Sequence, residues 1–158
     1  MPVDLERVFD VLRAFEREGV RYVLVGGVAL TIHGLVRATQ DIDFFLDPDA
    51  ANVERTKKAL KSVFSDPEID SISAADLAGD YPTIRYAPPN DAFVIDLISR
   101  LGTAFRFEDV ESEVRVIEGI RVQVATPAML FRMKRNTVRP IDHADAEALR
   151  RRFGLGDA

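Results

Sequence analysis

Apolar residues recur with a helical period over Val3–Arg17, at Val3, Leu5, Val8, Phe9, Val11, Leu12 and Phe15. This predicts an amphipathic first helix that ends near Gly19. Arg21–Val25 then reads as a short apolar strand running straight into Gly26-Gly27, and Val28–His33 as a buried helix stopped by Gly34. Asp41-Ile42-Asp43-Phe44-Phe45-Leu46 has the character of a strand. After Asp47-Pro48-Asp49 a second amphipathic helix covers Ala51–Phe64, with Asp49 placed to cap its start. Residues 65–80 carry little period beyond a short helix at Ala74–Ala78. Tyr81–Tyr86 and Ala92–Ile98 read as strands joined by a Pro88-Pro89 loop, in which Asp91 suits turn chemistry. Glu113–Ile117 and Ile120–Val124 alternate across Glu118-Gly119, a hairpin signal. Thr126-Pro127 opens a helix with proline at its first position, and a last helix covers Ile141–Phe153 before Gly154. The order α-β-α-β-α-β-β-β-β-α-α predicts an α/β (α+β) domain: a mixed sheet with helices packed on it.

One domain, residues 1–158, suits a chain of 158 residues, with a core at about 20–125 and a C-terminal helical pair at about 126–154. Hydrophobic residues at 47% and charged residues at 30% are ordinary globular usage. The absence of cysteine excludes a disulfide framework, a cysteine-based zinc site and a thiol nucleophile. The N-terminus lacks a basic-then-apolar signal pattern and no run approaches a membrane span, so a cytoplasmic protein is expected. A formal charge of −5 argues against broad nonspecific binding to nucleic acid. Its distribution is uneven: residues 126–153 hold seven Arg or Lys against three acids, so the rest carries −9. That basic stretch suits either transfer onto RNA or a helix pair docking on an acidic body.

The candidate chemistry centres on Asp41 and Asp43. On a strand, residues i and i+2 face the same way, roughly 6.5–7 Å apart, so both carboxylates converge while Ile42 turns to the core. Two such acids repel unless a positive charge lies between them. Mg²⁺, which takes carboxylate oxygens and completes its shell with water and phosphate, fits that need. Strand, double glycine, helix is also the arrangement that sets bare backbone N–H groups against an anion. Arg37, just upstream of the acids, suits either a phosphate or Asp41, and Thr39 adds a hydrogen-bonding hydroxyl. Asp96, alone in the apolar strand Phe93-Val94-Ile95-Asp96-Leu97-Ile98, needs a metal or a cation beside it. Its alternatives are a third metal ligand or general base, and a structural acid paired with Arg85 or Arg100.

Gly26-Gly27, thirteen residues, then Asp41-Ile42-Asp43 resembles the signature of the DNA polymerase β-like nucleotidyltransferase superfamily. Within it, Gly-Gly-x-Ala, His33-Gly34 and Arg37-x-Thr39-x-Asp41-Ile42-Asp43 are most similar to AbiEii/AbiGii-type proteins of abortive-infection and toxin–antitoxin systems. The resemblance is dense over residues 21–46 and weaker to residue 149. It implies a nucleotidyltransferase-like sheet with two C-terminal helices. It further implies Gly26 and Gly27 on the nucleotide phosphates, and Asp41, Asp43 and Asp96 on two divalent ions, Mg²⁺ or Mn²⁺. Lys134, Arg139, Asp142 and Asp145 are similar to a Lys, then Arg, then Asp-x-x-Asp pattern in the toxin-like relatives, where the lysine reaches phosphate. Against this, Lys134 also reads as a snorkelling surface lysine and Asp145 as a solvent residue. His33 has no partner arrangement that suggests a metal or a triad, and reads as a helix-end residue.

The resulting expectation is an enzyme that moves a nucleoside monophosphate from an NTP to an acceptor hydroxyl on tRNA, a protein or a small molecule. With 62 residues after Asp96, the chain reads as a minimal core whose acceptor surface comes from a small acceptor, a second subunit or a cognate antitoxin. The rival expectation is a non-catalytic nucleotide-binding or regulatory subunit, distinguished by nucleotide binding that ignores both Mg²⁺ and Asp43→Ala.

Overall fold

A computed structural model describes residues 5–35, 39–89, 93–101, 105–135 and 140–156. Helix α1 (Leu5–Glu18) leads into strand β1 (Tyr22–Val25), helix α2 (Gly26–Ile32), strand β2 (Asp41–Leu46) and helix α3 (Ala50–Phe64). A 3-10 turn at Pro67–Ser71 and a short helix α4 (Ala74–Ala78) precede strands β3 (Thr83–Tyr86) and β4 (Val94–Ile98). Two-residue strands β5 (Arg100–Leu101) and β6 (Phe105–Arg106) form a separate small hairpin, followed by a 3-10 turn at Phe107–Asp109. Strands β7 (Ser112–Ile117) and β8 (Ile120–Ala125) and helices α5 (Pro127–Lys134) and α6 (Pro140–Phe153) complete the chain.

Six strands form one mixed sheet in the order β3-β4-β2-β1-β8-β7. β1 runs antiparallel to β2 and parallel to β8, whereas β2 runs parallel to β4. The central strands are the most apolar, as strands covered on both faces must be. One face is sealed by α1, which packs on α3 and β8. Phe15 of α1 meets Tyr22 at 5.3 Å and Phe44 at 4.7 Å between ring centroids, an aromatic cluster under β1 and β2. Because Phe44 points toward α1, alternation places Asp41 and Asp43 on the other face, with α2. None of the described helices is long and apolar enough to cross a membrane.

Several local expectations are met for the stated reasons. Glu118 and Gly119 take φ of 51° and 75°, the left-handed pair that a two-residue hairpin requires. Thr126 accepts a capping hydrogen bond from Met129 N–H at 3.1 Å, with Pro127 at the first helical position. Others differ. Asp49 stands at the start of α3 but its side chain makes no capping bond; its N–H donates instead to Asp47 Oδ1 at 3.1 Å. Helix α2 begins at Gly26 rather than Val28, β3 begins at Thr83 rather than Tyr81, and the β5–β6 hairpin and both 3-10 turns were not expected. Elements of two to five residues are too short to carry a period.

Asn52 of α3 is fully buried and joins the ends of β1 and β2. Its amide accepts from Arg21 N–H at 2.7 Å and donates to Arg21 C=O at 3.0 Å and Asp47 C=O at 2.9 Å. Asn52→Ala therefore leaves Arg21 N–H and Asp47 C=O without this partner beside the core, while Arg21 C=O keeps a bond from Asp47 N–H at 3.3 Å. We expect it to lower the unfolding free energy by about 2–4 kcal/mol in urea denaturation; a change below about 0.5 kcal/mol would show that water replaces the amide at no cost.

Candidate active site

Strand register assembles the acids. Asp43 of β2 lies directly beside Asp96 of β4 in the parallel pairing, and Asp41 is two residues back along β2 on the same face. One carboxylate oxygen from each of Asp41, Asp43 and Asp96 lies within 4.8 Å of the others. Asp96 is buried, whereas Asp41 and Asp43 are partly exposed, so the cluster opens outward from Asp96. Three hard oxygen donors this close suit a cation such as Mg²⁺ or Mn²⁺.

Among the described residues, three positive partners answer these charges. Arg85 sits on edge strand β3 with its Cα paired to that of Asp96. Its guanidinium donates from Nε to Asp96 Oδ1 at 3.1 Å and from Nη2 to Asp96 Oδ2 at 3.2 Å, a bidentate fork. Nη2 also lies 3.5 Å from Asp41 Oδ2. Asp96 is thus both a member of the three-acid cluster and the partner of Arg85, joining two readings that the residues alone left as alternatives. The second partner is a proton: burial, then hydrogen bonding with Asp96 and the charges of Asp96 and Asp41, push the Asp43 carboxyl up to about 7. Lys134 of α5 is the third. Its charge acts on Asp43 in the opposite sense.

Lys134 is itself held, 3.2 Å from Asp142 Oδ1 and 3.1 Å from Asp145 Oδ2 of α6, with all three side chains close to nine-tenths buried. The lysine is therefore not a snorkelling surface group, nor Asp145 a solvent residue. Spacing of three along α6 places both acids on one side of the helix, toward α5. The remaining described cations of the basic stretch are engaged within the fold: Arg150 and Arg151 with Glu147, Arg152 with the His33 carbonyl, Arg132 with Glu111, and Arg135 over the Phe131 ring. These contacts fit a docked helix pair, on which the side chains of Arg150, Arg151 and Arg132 stay 40%, 76% and 46% exposed.

The glycine pair has a steric reason that the sequence does not display. Gly26 has φ of +72°, and a Cβ there would fall onto Asp43 Oδ2. At Gly27 a Cβ would come within 2.9 Å of the Thr39 Cβ. Both glycines thus let α2 lie against the acid-bearing end of β2. Thr39 anchors that end: its hydroxyl accepts from Asp41 N–H at 3.2 Å and donates to Asp41 C=O at 3.1 Å. Arg37, Asp91 and Arg139 lie outside the described residues. His33 is the helix-end residue expected, its Nε2 2.8 Å from the Ala125 carbonyl and its Nδ1 3.4 Å from Arg115.

Comparison with known families matches residues 10–140 to the model described as nucleotidyl transferase AbiEii toxin, type IV TA system. A search of curated proteins gives no match. Among solved structures, the chain is similar to the lincosamide antibiotic adenylyltransferase LnuA in its lincomycin-bound form. That match has a TM-score of 0.56 and 17% identity, over 95% of this chain and 98% of that one. It is also similar to an antigenic nucleotidyltransferase-like protein from Paracoccidioides brasiliensis, with a TM-score of 0.53 and 14% identity, over 94% of this chain and 78% of that one. At these identities the two structures establish the shared nucleotidyltransferase-like fold.

The raised pKa of Asp43 has a signed consequence for stability. Its folded value of about 7 stands above the ordinary 3.8, so between these the folded state holds a proton that the unfolded chain releases. The contribution is complete below the unfolded value and is lost as pH rises to about 7. Asp43→Asn keeps a hydrogen-bonding group of the same shape and removes the titration. In EDTA the variant should melt roughly 5 °C above wild type at pH 8, the gap closing toward pH 4. A gap independent of pH would mean that Asp43 is ionised throughout.

Proposed function

The chain belongs to the AbiEii nucleotidyl transferase toxin family, and on that premise we propose a divalent-metal-dependent enzyme that moves a nucleoside monophosphate from an NTP to an acceptor hydroxyl, acting as the toxin of a toxin–antitoxin pair. The observation that carries this reading is the meeting of Asp41, Asp43 and Asp96 within 4.8 Å beside the Gly26-Gly27 turn. An all-carboxylate donor set whose like charges are only partly relieved by the nearby Arg85 guanidinium and Lys134 ammonium fits a hard divalent cation.

Asp41 and Asp43 would hold two such ions jointly, and Asp96 would be the third ligand or general base on the acceptor side. Bound divalent ions supply charge neutralisation to the attacking and leaving oxygens of an in-line displacement. In that displacement the acceptor oxygen bonds to the α-phosphorus, the α–β anhydride bond breaks, the hydroxyl proton leaves the acceptor and pyrophosphate departs. Gly26, half-buried at the β1–α2 junction, and Gly27, buried behind it, would offer backbone N–H groups to the phosphates. Lys134, steadied by Asp142 and Asp145, adds positive charge on the same face, and Arg37 and Thr39 complete the proposed nucleotide contacts. The Thr39 hydroxyl, already bonded to the Asp41 backbone, contributes by fixing where the first acid stands.

The acceptor is a hydroxyl of tRNA, a protein or a small molecule. The C-terminal stretch keeps its excess of positive charge, since Arg150 and Arg151 share Glu147 while Arg152 meets a carbonyl and Arg135 a ring, so an RNA acceptor stays compatible with this surface. The test is incubation with each α-labelled NTP in Mg²⁺ or Mn²⁺ with tRNA, host protein extract or a small hydroxylated acceptor. We expect labelled product and pyrophosphate with one acceptor class, and a loss of about 100-fold or more in Asp41→Asn and Asp43→Asn. Nucleotide binding unaffected by EDTA and by both substitutions, with no transfer, would favour a regulatory binding protein.

A further inference from the structure

The guanidinium of Arg85 occupies oxygens that a metal at Asp41 and Asp96 would need. Both Asp96 oxygens are engaged by the bidentate fork, and Asp41 Oδ2 lies at 3.5 Å from the same group. The three acids in turn favour the charged guanidinium, Asp96 most through its hydrogen bond. Yet the arginine is not built in. It stands on β3, the edge of the sheet, and its side chain is 63% exposed while that of Asp96 is 9% exposed. A long side chain at an exposed edge can turn into water with little desolvation to overcome. A buried Asp96 cannot follow it.

We propose that Arg85 is a placeholder cation of the three-acid site: it neutralises Asp96 and Asp41 while no metal is bound, and a divalent ion must displace it to enter. The inference rests on the metal-site reading above and deepens it by naming what sets metal affinity. Metal entry then becomes an exchange of one cation for another rather than the filling of a bare anionic pocket. Binding is weakened by the strength of the Arg85 fork, and the metal-free protein is spared the full repulsion of its acids. Two alternatives make opposite predictions. If Arg85 orients Asp96 for the metal, its removal weakens binding; if the fork is an incidental surface pair, removal changes nothing.

The experiment reads Mn²⁺ binding directly, by the loss of the free-ion electron paramagnetic resonance signal, with no nucleotide and no turnover. Wild type is compared with Arg85→Met, which keeps length without charge, Arg85→Lys, which keeps charge without the fork, and Asp43→Asn as a control. We expect Arg85→Met to bind Mn²⁺ about tenfold more tightly than wild type, a displacement of one partly exposed ion pair, with Arg85→Lys in between. The rise in melting temperature on adding Mn²⁺ should be larger in Arg85→Met, whose metal-free form has lost its counter-charge. Unchanged or weaker binding by Arg85→Met, with wild type still sensitive to Asp43→Asn, overturns the placeholder and leaves the metal site standing. Binding that is insensitive to Asp43→Asn in every protein overturns the metal site itself, and the placeholder with it.

Discussion

Three carboxylates gathered within 4.8 Å are the constraint around which the rest of this structure is arranged. Like charges at that distance in a partly dry environment cannot all stay ionised without positive partners. Among the described residues the fold answers them with the Arg85 guanidinium and the Lys134 ammonium, and with a raised affinity of the Asp43 carboxyl for a proton. Each cation comes from a different depth. The arginine reaches in from an exposed sheet edge, and the lysine is fixed between two α6 acids.

The architecture follows from holding those acids open at one face. β2 and β4 run parallel and adjacent, with Asp43 beside Asp96, and a parallel pair needs a crossover, which here travels out through α3, the 3-10 turn, α4 and β3. The opposite face of β2 is locked by Phe44 against Phe15 and Tyr22, and Asn52 ties the outer ends of β1 and β2 together. A one-residue slip of β2 would turn the acids into that aromatic layer, so core packing and site geometry are specified by the same register. The glycines at the start of α2 then let a helix approach the acid-bearing end without covering it.

Much of this was legible in the chain. The alternation of Asp41, Ile42, Asp43 and Phe44 states which residues share a face, and the lone acid of Phe93–Ile98 states that something positive must lie beside it, because local period and the cost of burying charge are properties of residue order and type. The hairpin at Glu118-Gly119 and the Thr126-Pro127 helix start were legible for the same reason: both are local chemistry. Partner choice is not local. That Asp96 takes Arg85 rather than Arg100, and does so while also facing Asp41 and Asp43, depends on β3 pairing with β4 in one register across a connection containing two prolines.

Lys134 shows the division most clearly. Its place in a Lys, Arg, Asp-x-x-Asp pattern could be read along the chain, but as readily as a solvated lysine on a helix end. Only the docking of α6 on α5 closes Asp142 and Asp145 around it and brings its charge to bear on Asp43. Gly26 and Gly27 likewise announced a turn, whereas the reason a side chain is refused there, the carboxylate of Asp43 on β2 and the Thr39 side chain just before it, lies more than ten residues away. The sequence by itself determined the elements, their faces and the charges that needed partners. The tertiary structure decided which charges meet, because electrostatic pairing and steric exclusion act through space and are set by sheet register and helix docking rather than by separation along the chain.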